Sequence, residues 1–371
     1  MVLPTPARAT RGPDRATRGP DRAVPVPGRA TPLPGRATPA AGRGSPASGR
    51  RAGWAGYTFV APLMLVFVTF YLWPAVATVV SSLFRWSLLR PWPATDRSTW
   101  DYVGLDNYRQ TLAETGFWNA AFNSLLWLVI FPLLVTGFSL LVSVLIWHMR
   151  RFGALVRTVF VLPMTISLAA AGVIWSFVYN PDPGVGILNA VLHALHLDGT
   201  VDWGPVHLAT GQWLGDAGGI DLGFAEIRLV NLALIVPAFW AFTGFGVVTF
   251  TAGLSSLPGE LVDSAKVDGC RAGQLVRHIV VPHLRRPMMI VYVVSVIFAL
   301  RTFDIVYVMT GGGPGDDSMV LAVLLWQQAF AFLTEPEAGH AAAIAVLMTA
   351  VMVLLAYPYL RAMLRPGREV R

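Results

Sequence analysis

Six apolar runs dominate the chain, at residues 57–83, 121–147, 158–179, 229–253, 288–309 and 341–360. At a helical rise of about 1.5 Å per residue, each is long enough to cross a hydrocarbon core of about 30 Å. The pattern predicts six transmembrane helices. Five of the runs carry no charged residue; the fifth run alone holds Arg301 and Asp304. A further apolar piece at 319–333 is short for a span and falls in the range of interfacial or re-entrant segments.

Between the fourth and fifth runs lies LSSLPGELVDSAKVDGCRAGQLVRHIVVPHLRRP, residues 254–287. Pro258 suits the first turn of a helix, with Ser255 or Ser256 available to cap it, so a short helix over 258–268 is expected. Gly269 stands where that helix needs a left-handed residue. A second helix carrying Leu275 and Ile279 is then expected to run until Pro282 stops it. Leu257, Leu261 and Ala265 would line one face of the first helix, edged by Glu260, Asp263 and Asp268, as a ridge suited to a groove on a partner.

The pattern of this segment resembles the EAA loop of ABC-importer permease subunits. It carries Asp263-Ser264-Ala265, then Gly269 at the family spacing, then Ile279-Val280-Val281-Pro282. Asp stands for Glu, Ser for the first Ala, and Val for Leu, each keeping charge sign, size or apolarity. Two more stretches, YVGLDNY at 102–108 and RTFDIVYVMTGGGP at 301–314, look like signatures of the sugar and glycerol-phosphate branch of these permeases.

The resemblance covers about residues 54–365. It implies an all-α membrane protein of six transmembrane helices with the type I ABC-importer permease fold, and no enzymatic activity of its own. It also implies a second permease subunit, ATP-binding subunits docking on the hairpin through Glu260, Asp263, Ser264, Ala265, Asp268, Gly269, Ile279 and Pro282, and an extracytoplasmic solute-binding protein delivering a carbohydrate. The domain organisation that follows is a disordered tail over 1–52 and a permease domain over 53–371.

Charge sets the expected orientation. With six spans and a cytoplasmic N-terminus, 22 of the 28 basic residues lie inside, and both termini and the hairpin face the cytoplasm of a multi-pass inner-membrane protein. The loop at 181–228 and the segment at 311–339 then lie outside. Their acids, with Trp203, Trp213 and Trp326, suit a surface for the binding protein.

Composition agrees with a membrane protein, since the chain is 54% hydrophobic and 13% charged, with a mean hydropathy of +0.56. The net charge of +7 misleads, because residues 1–52 hold ten Arg against two Asp and the remainder is close to neutral. Nucleic acid is therefore not an expected partner. The tail itself repeats RATRGPD and is rich in Pro and Gly, a composition that resists packing. Anionic lipid headgroups are its one candidate partner.

Candidate chemistry is sparse. The only lysine, Lys266, lies between Ala265 and Val267, so no phosphate-binding loop is present and energy must come from a partner or from an ion gradient; the resemblance implies an ATP-hydrolysing partner. No cofactor or metal is expected: His193 and His196 lack a third ligand. Arg301 and Asp304, an i, i+3 pair about 20 Å into the fifth span by helix rise, are expected on one helical face. With Phe303 and Tyr307 they form the candidate substrate path. Two alternatives stand beside the carbohydrate importer. One is an ion-coupled carrier using Arg301 and Asp304; the other is the same importer class with a non-sugar substrate.

Overall fold

Side chains that are apolar on every face leave a segment no soluble option but burial, and the helix satisfies its backbone internally. In a computed structural model the apolar runs are accordingly helical. The structure describes residues 49–86, 101–149, 151–197, 199–203, 206–209, 211–215, 218–221, 226–331 and 338–364. All but the last four residues of the 1–52 tail lie outside that set. Those four, from Gly49, already belong to helix α1, Gly49–Phe67. The chain divides at Pro62 into a unit of residues 1–62 and a unit of residues 63–371.

The element order continues with α2 (Trp73–Ser81), β1 (Phe84–Arg85), β2 (Asp101–Tyr102), α3 (Asp106–Ala113), α4 (Thr115–His148), α5 (Gly153–Val161) and α6 (Leu168–Val178). Next come α7 (Ile187–Ala194), β3 (Thr200–Trp203), β4 (Val206–Ala209), β5 (Gly218–Asp221), β6 (Glu226–Arg228) and α8 (Leu229–Ser255). The last third holds α9 (Gly259–Val267), α10 (Ala272–Leu275), α11 (Val281–His283), α12 (Arg285–Leu300), α13 (Asp304–Met309), α14 (Leu321–Trp326) and α15 (Ala338–Leu364). The protein is mostly helical, with two small antiparallel sheets: the pair β1-β2 and the meander β3-β4-β5-β6.

Among the described residues, four helical stretches are long and apolar enough to cross a membrane: Tyr57–Ser81, Thr115–His148, Leu229–Ser255 and Ala338–Leu355. Two bent pairs bring the number to six if each is one span. The third apolar run is not the single straight helix expected. It bends by 104° between Gly153–Thr165 and Leu168–Val178, where Pro163 lies in a tight 3-10 turn and Ser167 caps α6 through Ala170 N–H. The fifth run differs too. Its helix ends at Leu300, and α13 starts anew at Asp304 after Phe303 takes φ −132°, ψ −60°.

Two prolines, Pro74 and Pro282, are absorbed by widened turns rather than acting as stops. A π segment, Val68–Leu72, precedes Pro74, and another, Val276–Val280, precedes Pro282 at the same spacing. In each the next N–H reaches five residues back, Trp73 to the Val68 carbonyl and Val281 to the Val276 carbonyl. That opens the turn where a proline ring would meet the carbonyl four residues behind it. Pro282 therefore does not end the second hairpin helix, which runs to His283 and turns 69° into α12.

The core is an α4–α8–α12 layer. Small residues bring the first two together: a Cβ on Gly246 would collide with the Ser139 side chain, and Ser139 Oγ donates to the Thr243 carbonyl at 3.0 Å. Beside this seam, Phe131, Phe242 and Phe298 pack ring on ring with centroids 4.7–5.6 Å apart. The sheet β3–β6 joins α8 at its first residue and the hairpin leaves at its last, so these two features stand about 40 Å apart by helix rise.

Candidate functional site

The hairpin is built locally. Glycine at 269 adopts φ +76°, Cys270 N–H bonds the Ala265 carbonyl at 2.9 Å, and Gly269 N–H bonds the Lys266 carbonyl at 3.1 Å. This is a Schellman closure of α9. The side chain of Gln274 then accepts from Arg271 N–H at 2.9 Å and starts α10. Pro258 is the residue before α9 rather than its first helical position, while Ser255 and Ser256 belong to the end of α8, so neither serine caps the hairpin helix.

Val262 is buried, as are Leu275, Val280 and Leu284 of the second arm, whereas Leu261 of the expected ridge and Val267 are exposed. Glu260, Asp263, Ser264, Asp268 and Gly269 are exposed, and Ala265 and Ile279 are half-buried. Asp263 pairs with Lys266 at 3.2 Å, both in solvent, an arrangement that contributes little. The two arms meet at the neck, where His283 Nε2 lies 3.1 Å from Ser256 Oγ and a Cβ on Gly253 would press on Leu284 and Pro287.

A cavity of about 360 Å³ opens where α12 breaks. Its walls include Leu168 of α6, Phe242 of α8, Phe298 of α12, and Arg301, Phe303 and Asp304 at the break itself. The break overturns the expectation that Arg301 and Asp304 share one helical face: Arg301 closes α12 and Asp304 opens α13. Both are exposed, and neither makes an ion pair among the described residues. Thr302 is buried, its hydroxyl bonded to the Phe298 carbonyl at 3.2 Å. Tyr307, one helical turn on from Phe303, stacks against it outside the cavity wall.

Beyond α13 the glycine-rich loop is held by polar side chains that a search for charges in the spans misses. Asn123 of α4 donates to the carbonyls of Asp317 and Met319 at 3.0 and 2.9 Å. Asn231 of α8 donates to Asn123 Oδ1 and to the Asp317 carbonyl at 3.1 and 2.9 Å. Both asparagines are buried. Within the loop Thr310 Oγ1 and Ser318 Oγ lie 2.8 Å apart, and Arg228 at the end of β6 reaches Asp317 at 3.3 Å. The signal in the sequence was an amide at or near the start of two uncharged apolar runs.

Residues 122–366 match the family model of the binding-protein-dependent transport system inner membrane component. The chain belongs to that family. It is an ABC-transporter permease subunit, multi-pass in the inner membrane and not itself a catalyst, which removes the ion-coupled carrier as an alternative.

The osmoprotective compounds uptake permease of Synechocystis is 30% identical over 80% of this chain and 94% of its own length. An alpha-glucoside transport system permease of Rhizobium meliloti is 31% identical over 80% and 79%. Among solved structures, a bacterial ABC transporter importing alginate superposes with a TM-score of 0.65 at 17% identity, over 85% of this chain and 98% of that one.

In this permease the YVGLDNY signature is a structural clamp. Asn107 of YVGLDNY donates to the carbonyls of Ser82 and Phe84 at 2.8 and 3.1 Å, and Tyr108 meets Ser82 at 2.6 Å, tying α3 to the end of α2. Gly339 of α15 packs so closely there that a Cβ would strike the Phe84 carbonyl. Of the tryptophans assigned to a docking surface, Trp213 is turned inward to Asn189 at 2.9 Å, and the side chain of Trp203 lies outside the described residues.

Proposed function

We propose that this permease forms half of the translocation path of an ATP-driven carbohydrate importer, coupled to separate ATPase subunits through the hairpin at 254–287. The observation that carries the reading is the pairing of two features at separate depths. One is a self-contained hairpin whose exposed Glu260, Asp263 and Ser264 are free to meet a partner. The other is a cavity of about 360 Å³ that combines aromatic faces with Arg301 and Asp304. Aromatic faces with a few convergent polar groups suit a sugar. The carbohydrate assignment draws on the alpha-glucoside relative, and the osmoprotectant relative keeps a non-sugar solute as the second reading.

The partners follow from the same reading: a second permease completing the path, ATPases at the hairpin, and a solute-binding protein at the end bearing the sheet and the glycine-rich loop. The termini and hairpin face the cytoplasm. Co-purification from membranes tests this, with a second permease and ATPase subunits expected in stoichiometric amounts. A monodisperse single subunit that moved sugar into liposomes unaided would overturn it.

A further inference from the structure

Aromatic surface continues past the cavity. The ring of Phe303 stacks on Tyr307 with centroids 5.0 Å apart and planes 13° from parallel. Tyr307 meets Trp326 edge to face at 4.6 Å, and Trp326 lies 6.4 Å from Phe330. Four rings from two separate segments thus form one ledge leading away from Arg301 and Asp304. Gln327 holds the second segment in place by donating to the Gly311 carbonyl at 3.1 Å, just beyond α13.

A packed cluster would bury its rings, yet Tyr307 is 39% and Phe330 56% exposed. Tyr307 makes no hydrogen bond through its hydroxyl among the described residues, and Gln327 and Gln328 are half-buried beside the rings. A flat aromatic face with an amide and a phenol at its edge, continuous with a cavity whose guanidinium and carboxylate make no ion pair among the described residues, matches one kind of occupant. The C–H faces of a pyranose ring lie on the electron-rich face of an aromatic ring, and its rim of hydroxyls needs donors and acceptors.

We propose that Tyr307, Trp326 and Phe330 form a carbohydrate-stacking subsite that passes a pyranose ring to the cavity at Arg301 and Asp304. This rests on the carbohydrate reading given above. It assigns Trp326 to the solute rather than to the docking of a protein.

The test is saturation-transfer NMR on the purified complex of this permease, its second permease and the ATPases in nanodiscs. Leaving out the binding protein lets the membrane complex's own sugar affinity be read. Methyl α-D-glucopyranoside and methyl β-D-xylopyranoside are the probes, with glycine betaine as the non-sugar control. Transfer is expected to the pyranoside ring C–H protons and not to betaine. Trp326→Ala should weaken the Kd about tenfold, equivalent to about 1.4 kcal/mol, and Trp326→Phe should stay within about threefold because a flat ring is restored.

Should Trp326→Ala fail to assemble, Phe330→Ala, the most exposed ring, is expected to weaken binding about threefold. An unchanged Kd in an assembled Trp326→Ala complex overturns the inference. So does a Trp326→Phe complex that has lost the second permease, since the ledge would then be a subunit contact. Uptake of the same pyranosides by the complete wild-type importer separates the two failures. Uptake without transfer sinks the ledge alone, and uptake of betaine but no pyranoside sinks the carbohydrate reading with it.

Discussion

At the scale of single residues, Gly269 and the asparagine pair make opposite demands. Nothing lies within 4 Å of a Cβ built on Gly269, so a side chain there meets no clash and the whole cost is its φ of +76°. That costs an ordinary residue about 1–2 kcal/mol, and less for asparagine, which tolerates the left-handed region. Gly269→Val is therefore expected to lower sugar uptake and ATPase co-purification strongly while membrane insertion stays normal; Gly269→Asn should retain most of both. Asp263→Asn removes a solvated pair with Lys266 and one rim charge of the proposed docking surface, and should be milder in the same assay. Asn123 is held by buried contacts instead. Asn123→Ala strips donors from the Asp317 and Met319 carbonyls, each worth about 1–3 kcal/mol if left buried and unpaired. The detergent-solubilised complex should melt at lower temperature, and limited proteolysis should cut within 310–319.

At the scale of elements, what counts is how close two helices come. A Cβ on Gly244 would sit 2.6 Å from the Phe160 carbonyl and 3.0 Å from Val161 Cα, both backbone, so neither neighbour can swing aside. On α4, Gly137 is exposed with nothing within 4 Å. Overpacking costs about 1–3 kcal/mol, whereas replacing an unconstrained helical glycine by alanine gains about 0.5–1 kcal/mol. Gly244→Ala should reduce the yield of monodisperse protein and Gly137→Ala should leave it equal or higher, measured by size-exclusion profiles of matched preparations. Equal yields for the two would mean that α8 does not rest on the end of α5.

For the whole molecule, the hairpin and the glycine-rich loop hang on opposite ends of α8, so whichever side one occupies, the other must take the opposite side. The orientation proposed from charge bias has the hairpin inside. Cys270, the chain's one cysteine, is half-buried in the hairpin and serves as an internal reporter. A membrane-impermeant thiol reagent should modify Asp316→Cys in intact cells and Cys270 only after permeabilisation. Labelling in the reverse order would invert the topology and move the binding-protein surface to the hairpin end.

Apolar run length, arginine placement and a glycine ten positions before Ile-Val-Val-Pro are properties of adjacent residues. The sequence by itself therefore determined the spans, their number if each bent pair counts once, the family and the Gly269 elbow. It did not determine where helices break. Residues 288–309 are as apolar as a continuous span, and the interruption at 301–303 depends on what α6, α8 and α14 present to it. The loop clamp joins Asn123 to Asp317 across 194 positions, and the aromatic ledge joins Tyr307 to Trp326 across an intervening turn. Hydropathy records how a residue partitions between water and apolar surroundings, not which distant partner it will meet. Only the tertiary structure decided that Arg301 and Asp304 belong to separate helices, that two amides inside apolar helices hold the glycine-rich loop, and that four rings share one surface.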